Sequence, residues 1–170
     1  MKSLTWIGDH TRRIVFVGIA VLVWVIVVYA TSGSGFLFNI ILSRASTPQP
    51  LRVFGNHQGW VVSLFTNKPA DFVVQDVALV PGGYSGWHSH PGPVLITVKS
   101  GTATWYHVSN GKCVKTVYPT GSAFVEPPDV VHTVQNEDTV NVELINTYIV
   151  PVGAVTRTEE NDPGVCPGVP

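Results

Sequence analysis

From Leu51 onward, runs rich in Val, Thr, Phe, Tyr and Trp are cut by Gly, Pro or Asn about every eight to twelve residues, a rhythm that fits an all-β sandwich or barrel. No long helical period follows residue 45. The runs predict strands at Leu51–Phe54, Trp60–Phe65, Phe72–Val80, Ser85–His90, Val94–Val98, Thr102–Val108, Lys112–Tyr118, Ser122–Val125, His132–Gln135 and Val140–Val150. One connection is specified by its own residues. Asn110-Gly111, between TATWYHVS and KCVKTVYP, suits the two left-handed positions of a type I′ turn and predicts a hairpin.

The first third of the chain has a different constraint. Ile14 to Ala30 is an uninterrupted apolar stretch of about 17 residues, near the lower limit for a helix that spans a bilayer core. It is apolar on every side, so an amphipathic surface helix is excluded. Arg12 and Arg13 precede it and the next basic residue is Arg44, which predicts a cytoplasmic N-terminus and an extracytoplasmic body. Val28 and Ala30, ahead of Thr31, also fit a signal-cleavage site, and a cleaved and secreted form is the alternative. The segment TSGSGFLFNIILSRASTPQP, ending in Pro48 and Pro50, reads as a tether.

Asp, Glu, Lys and Arg make up 12% of the chain against 45% apolar residues, which argues against disorder and against a phosphate-tracking surface. Nucleic acid is therefore excluded as an expected partner. The only cysteines, Cys113 and Cys166, both fall in the part expected to be exported, where an oxidising compartment would allow them to pair; two unpaired thiols are the other reading. The tail NDPGVCPGVP is too rich in Pro and Gly for a strand or helix and is expected to cross the surface.

His88 and His90 are two apart, so on a strand both imidazoles project from one face and can share a metal ion. An H-x-H pair alone is a weak signal. Its surroundings strengthen it: Gly82 stands six residues before His88, Gly101 closes the following strand, and Gly121, Pro127, His132 and Asn136 recur at set spacings further on.

In these motifs the chain resembles the cupin superfamily, whose patterns are G-x5-H-x-H-x3,4-E-x6-G and G-x5-P-x-G-x2-H-x3-N. Gly86–Pro93 (GWHSHPGP) and Gly164–Pro167 further resemble small exported actinobacterial cupin-domain proteins. The resemblance implies a double-stranded β-helix, or jelly-roll barrel, with His88, His90 and His132 as metal ligands inside it. It departs from the pattern twice. Asp129 replaces a motif glycine and is expected to alter a turn without touching the ligands. The glutamate position falls on Val94 or Leu95, so the usual carboxylate ligand is missing.

The expected organisation is a cytoplasmic N-terminus at 1–13, a transmembrane helix or signal anchor at 14–33, a linker at 34–50, a cupin barrel at 51–155 and a tail at 156–170. Three neutral imidazoles leave a bound divalent ion its full charge, so the site should prefer anions, with Fe, Zn, Mn, Ni or Cu as suitable metals. Glu126 either replaces the lost carboxylate or caps a turn at the rim, and Tyr84 can reach the mouth as a hydrogen-bond donor. Trp60, Trp87 and Trp105 are expected to pack, Trp87 facing away from the cavity, while His10, His57 and His107 are expected at the surface. Three functions follow: a membrane-tethered module binding a small anion, a metal-dependent dioxygenase or lyase, or a structural cupin with an empty barrel. Fold alone does not choose among them. The resemblance also implies dimers formed through barrel edges.

Overall fold

The computed structural model describes residues 31–170. The N-terminal residues 1–13 and the apolar span to Ala30 lie outside them, and residues 31–33 carry no helix. Among the described residues no helix is long and apolar enough to cross a membrane. The strands are β1 (Ser34–Ser46), β2 (Arg52–His57), β3 (Trp60–Phe65), β4 (Ala70–Tyr84), β5 (His88–Ser89), β6 (Val94–Ser100), β7 (Thr102–Ser109), β8 (Lys112–Pro119), β9 (Ala123–Glu126), β10 (His132–Gln135), β11 (Val142–Pro151) and β12 (Thr158–Glu159).

Ten of them form one sheet, ordered β12-β5-β10-β4-β11-β6-β9, with β1 on β4 and the β7–β8 hairpin on β10; it curls into a nearly closed, all-β barrel. Alternation in β6 shows why: Val94, Ile96 and Val98 are buried while Leu95, Thr97 and Lys99 face outward. In β11 the same rule turns Val142, Leu144, Asn146 and Tyr148 inward. The apolar ones among them meet Val73, Leu79, Trp105 and Phe124 in the main core. Each fully buried Val or Leu contributes roughly 1.5–3 kcal/mol. The predicted β7–β8 turn forms, with both Asn110 (φ 51°) and Gly111 (φ 70°) left-handed.

Two expectations are corrected. The proposed linker is a strand: β1 pairs antiparallel with β4 from Ser46 opposite Asp71 to Ser34 opposite Tyr84. Its backbone bonds are long-range and its side chains are largely exposed, so no burial pattern marks it in the sequence. In contrast, β2 and β3 pair only with each other, in a separate two-stranded sheet. This hairpin exposes Phe54 and Trp60, so Trp60 is not packed as expected, and His57 is exposed beside them.

The tail is bound along the barrel. β12 pairs with β5, Glu159 opposite His88, and the Glu160 N–H donates to the Trp87 carbonyl. Cys166 is disulfide-bonded to Cys113 and packs with Trp87 and Tyr106 in a second buried cluster. Trp87 thus faces away from the histidines, as strand alternation requires.

Candidate metal centre

His88 and His90 leave the short strand β5 on one face, and His132 opens β10 directly opposite His88. Pairing of β5 with β10 therefore brings together residues more than forty positions apart. The three rings are buried, their centroids lie 4.2–5.0 Å apart, and a ligating nitrogen from each falls within 4.8 Å of the others. Metal–nitrogen bonds of about 2.0–2.1 Å hold the nitrogens of one shell roughly 3–3.5 Å apart, so a bound ion draws the rings inward.

Each ring is held by its other nitrogen. His88 Nδ1 lies 2.8 Å from the Gly86 carbonyl, His90 Nδ1 2.6 Å from that of Thr156, and His132 Nδ1 2.7 Å from that of Val130. A carbonyl only accepts, so each Nδ1 carries a proton, and in a neutral ring that leaves the lone pair on Nε2. Backbone acceptors behind ligating imidazoles are the usual outer support of a metal site.

The carboxylate of Glu126 enters the same space from β9. Its Oε2 lies 3.1 Å from His90 Nε2 and 3.2 Å from His132 Nε2, and the residue is almost fully buried. Glu126 is thus part of the histidine cluster and not a turn cap at the rim. Among the described residues Glu126 Oε1 and His132 Nε2 have no hydrogen-bond partner. Convergent lone pairs, a carboxylate and orphaned buried polar atoms fit a divalent cation.

Burial pushes the His88 pKa well below its ordinary value, helped by the charges of His132, Arg157 and His90. Burial also opposes charge on His132 and Glu126, but their mutual attraction outweighs it, raising His132 and lowering Glu126. The surrounding cavity measures about 230 Å³ and is bordered by Gln75, Ser85, Asn146, Tyr148, Thr156 and Arg157, among others. Tyr148 stands edge-on to His90 at 5.3 Å and its hydroxyl donates to Gln75 Oε1. Burial raises its pKa, so it remains a donor. Asn146 donates to that hydroxyl, while its own Oδ1 is buried without a partner among the described residues.

The family model described as "Cupin domain" matches residues 75–148, a span containing the three histidines and Glu126. This chain carries a cupin domain. Similar solved structures include a conserved protein with a double-stranded β-helix domain from Klebsiella pneumoniae, at 22% identity over 68% of this chain and 87% of that one, TM-score 0.46. A mutant of Bacillus subtilis oxalate decarboxylase matches at 19% identity over 52% of this chain and 23% of its own, TM-score 0.47. Oxalate oxidase in complex with the substrate analogue glycolate matches at 21% identity over 45% and 41%, TM-score 0.43. The match thus spans less than a quarter of the decarboxylase's length. No curated protein matches the chain.

At the position of the motif glycine, Asp129 takes the left-handed conformation (φ 57°) itself, and its N–H donates to the His90 carbonyl. Aspartate tolerates that region better than most residues. Tyr84 does not border the cavity. Its neighbour Ser85 does, and alternation turns Tyr84 away; Tyr148 supplies the hydroxyl instead. His107 is half-buried, stacked on Trp105 at 3.9 Å and paired in register with His132, so it is not a simple surface residue. Thr156 and Arg157 were not anticipated. They reach the site because the tail crosses β5, and no local pattern in the tail signals this.

Proposed function

We propose that this protein is a membrane-tethered, extracytoplasmic cupin-domain module that holds a divalent metal ion on His88, His90 and His132 and captures a small anionic ligand beside it. The observation that carries the reading is the set of three Nδ1-to-carbonyl contacts, which leave the three Nε2 atoms free to converge on one point between the rings. Mn, Fe, Zn, Ni and Cu all accept imidazole with oxygen donors. When bound, such an ion would act as a Lewis acid toward an oxygen ligand.

The cavity is smaller than the roughly 300–1,000 Å³ of drug-sized sites, which favours a ligand of few heavy atoms. Arg157 borders it and offers positive charge, although Glu159 shares that guanidinium at 2.5 and 2.7 Å. Asn146 Oδ1 can accept from a ligand donor, and Tyr148 can donate once its proton is released from Gln75 Oε1. Membrane tethering is supported by the apolar Ile14–Ala30 segment, and an extracytoplasmic location by the Cys113–Cys166 disulfide.

Metal content of the detergent-solubilised full chain should fall to background in His88→Ala and His132→Ala; retention by both variants sinks the reading. Two- to four-carbon carboxylates should bind the metal-loaded protein, and Arg157→Ala should weaken them while leaving metal content unchanged. A second reading, a metal-dependent dioxygenase or lyase, draws on Tyr148, a buried phenol that borders the cavity with its ring against His90, as a proton donor. Oxygen consumption or carboxylate breakdown by the iron- or manganese-loaded protein, abolished in Tyr148→Phe, would favour the enzyme over the binder.

A further inference from the structure

We infer that Glu126 is the fourth protein ligand of the metal, a carboxylate supplied from β9; this rests on the metal reading proposed above. Oε2 lies 3.1 and 3.2 Å from two Nε2 atoms whose rings already spend their Nδ1 protons on backbone carbonyls. With rings protonated only at Nδ1 these contacts set an acceptor against acceptors, which repel unless a cation stands among them; a proton on His90 Nε2 would satisfy one contact and still leave Glu126 Oε1 and His132 Nε2 without a partner among the described residues. A proton on His132 does not resolve the arrangement. Its Nε2, though 3.2 Å from Oε2, makes no hydrogen bond of acceptable geometry to anything among the described residues. One ion reached by Oε2 and the imidazoles satisfies these donors together, and Oε1 can then join the ion's shell or a water on it.

The only polar partners of this carboxylate among the described residues are the imidazoles themselves: His90 Nε2 is hydrogen-bonded to Oε2 at 3.1 Å and Oε1 has no partner. Glu126 alternates with Phe124 on the inner face of β9, and its register partner on β6 is the buried Val94. Apolar side chains offer it no hydrogen bond. Leaving one oxygen of a buried carboxylate without a partner is costly, and metal coordination compensates it. Val94 is also the position where the cupin pattern places glutamate. The carboxylate therefore enters from the adjoining strand, and the ion's formal charge with three neutral imidazoles falls from +2 to +1.

The test is coordination in the full chain. Anomalous diffraction from the Mn- or Co-loaded protein should place a Glu126 oxygen about 2.0–2.3 Å from the ion. Separation beyond roughly 3 Å overturns the inference, without any variant needing to fold. In solution, Glu126→Gln should weaken Mn(II) binding about tenfold or more and change the Co(II) visible spectrum. The double variant Val94→Glu with Glu126→Val should recover affinity. If His132→Ala loses metal while Glu126→Gln keeps both affinity and spectrum, the carboxylate assignment fails and the histidine site stands. If His132→Ala keeps its metal, the underlying reading fails.

Discussion

Removing the Cys113–Cys166 disulfide tests how firmly the tail is built into the barrel. The bridged residues are 53 apart in sequence. In the chain-entropy treatment, closing a loop of that size removes roughly 14 cal/mol/K from the unfolded ensemble, or about 4 kcal/mol at 25 °C. Cys166 is also buried against Trp87 and Tyr106, so a serine there loses packing as well. At about 3 °C per kcal/mol for a domain of this size, the Cys113→Ser/Cys166→Ser chain should melt about 10–15 °C lower by circular dichroism. Wild type in excess reductant should approach the same value. The tail also carries the Thr156 carbonyl that orients His90, so the unbridged protein should bind metal more weakly without losing it. A melting shift below about 3 °C would refute the view that this bridge constrains the unfolded chain.

Asp71 accepts from Ser46, from the Gly153 N–H and from Arg44, which lower its pKa from 3.8 to about 2. A depressed folded-state pKa stabilises above the ordinary value and loses that contribution as pH falls through the folded one. The melting difference between wild type and Asp71→Asn should therefore be full above pH 4 and shrink toward pH 2; a pH-independent difference contradicts the assignment. Gly92→Ala would place a Cβ 2.0 Å from the Ile149 carbonyl oxygen, which forces the Pro91–Pro93 loop off β11. It should destabilise by about 1–3 kcal/mol in denaturant titration, and an unchanged midpoint would show that the loop yields freely. Asp129→Gly should leave metal content unchanged and stability within about 1 kcal/mol of wild type, because glycine adopts the same left-handed turn. A loss of bound metal in that variant would mean that the exposed Asp129 side chain acts on the site.

Much of the barrel was legible because its evidence is local. Period-two alternation marks β6 and β11, Asn110-Gly111 marks its own turn, and the spacing of His88, His90 and His132 marks the ligands. What escaped depends on which strands become neighbours. β1 is held by backbone pairing to β4 with little burial of its own, so its composition resembles a tether. Thr156 and Arg157 act on the site only because β12 lies along β5. None of these pairings leaves a trace within a short window of residues.

Glu126 is the most instructive of these cases. Read along the chain, Val94 is a missing ligand and Glu126 is one residue before a proline turn. Read across the β6–β9 ladder they are register partners on one inward face, and such pairs hold their Cβ atoms about 4.5–5.5 Å apart. That gap is short enough for a glutamate side chain to reach across. A donor is required at a point in space, and either strand can provide it as long as the register holds. A motif that demands glutamate at one sequence position therefore scores this site as decayed, although its buried carboxylate still lies against two of the histidines.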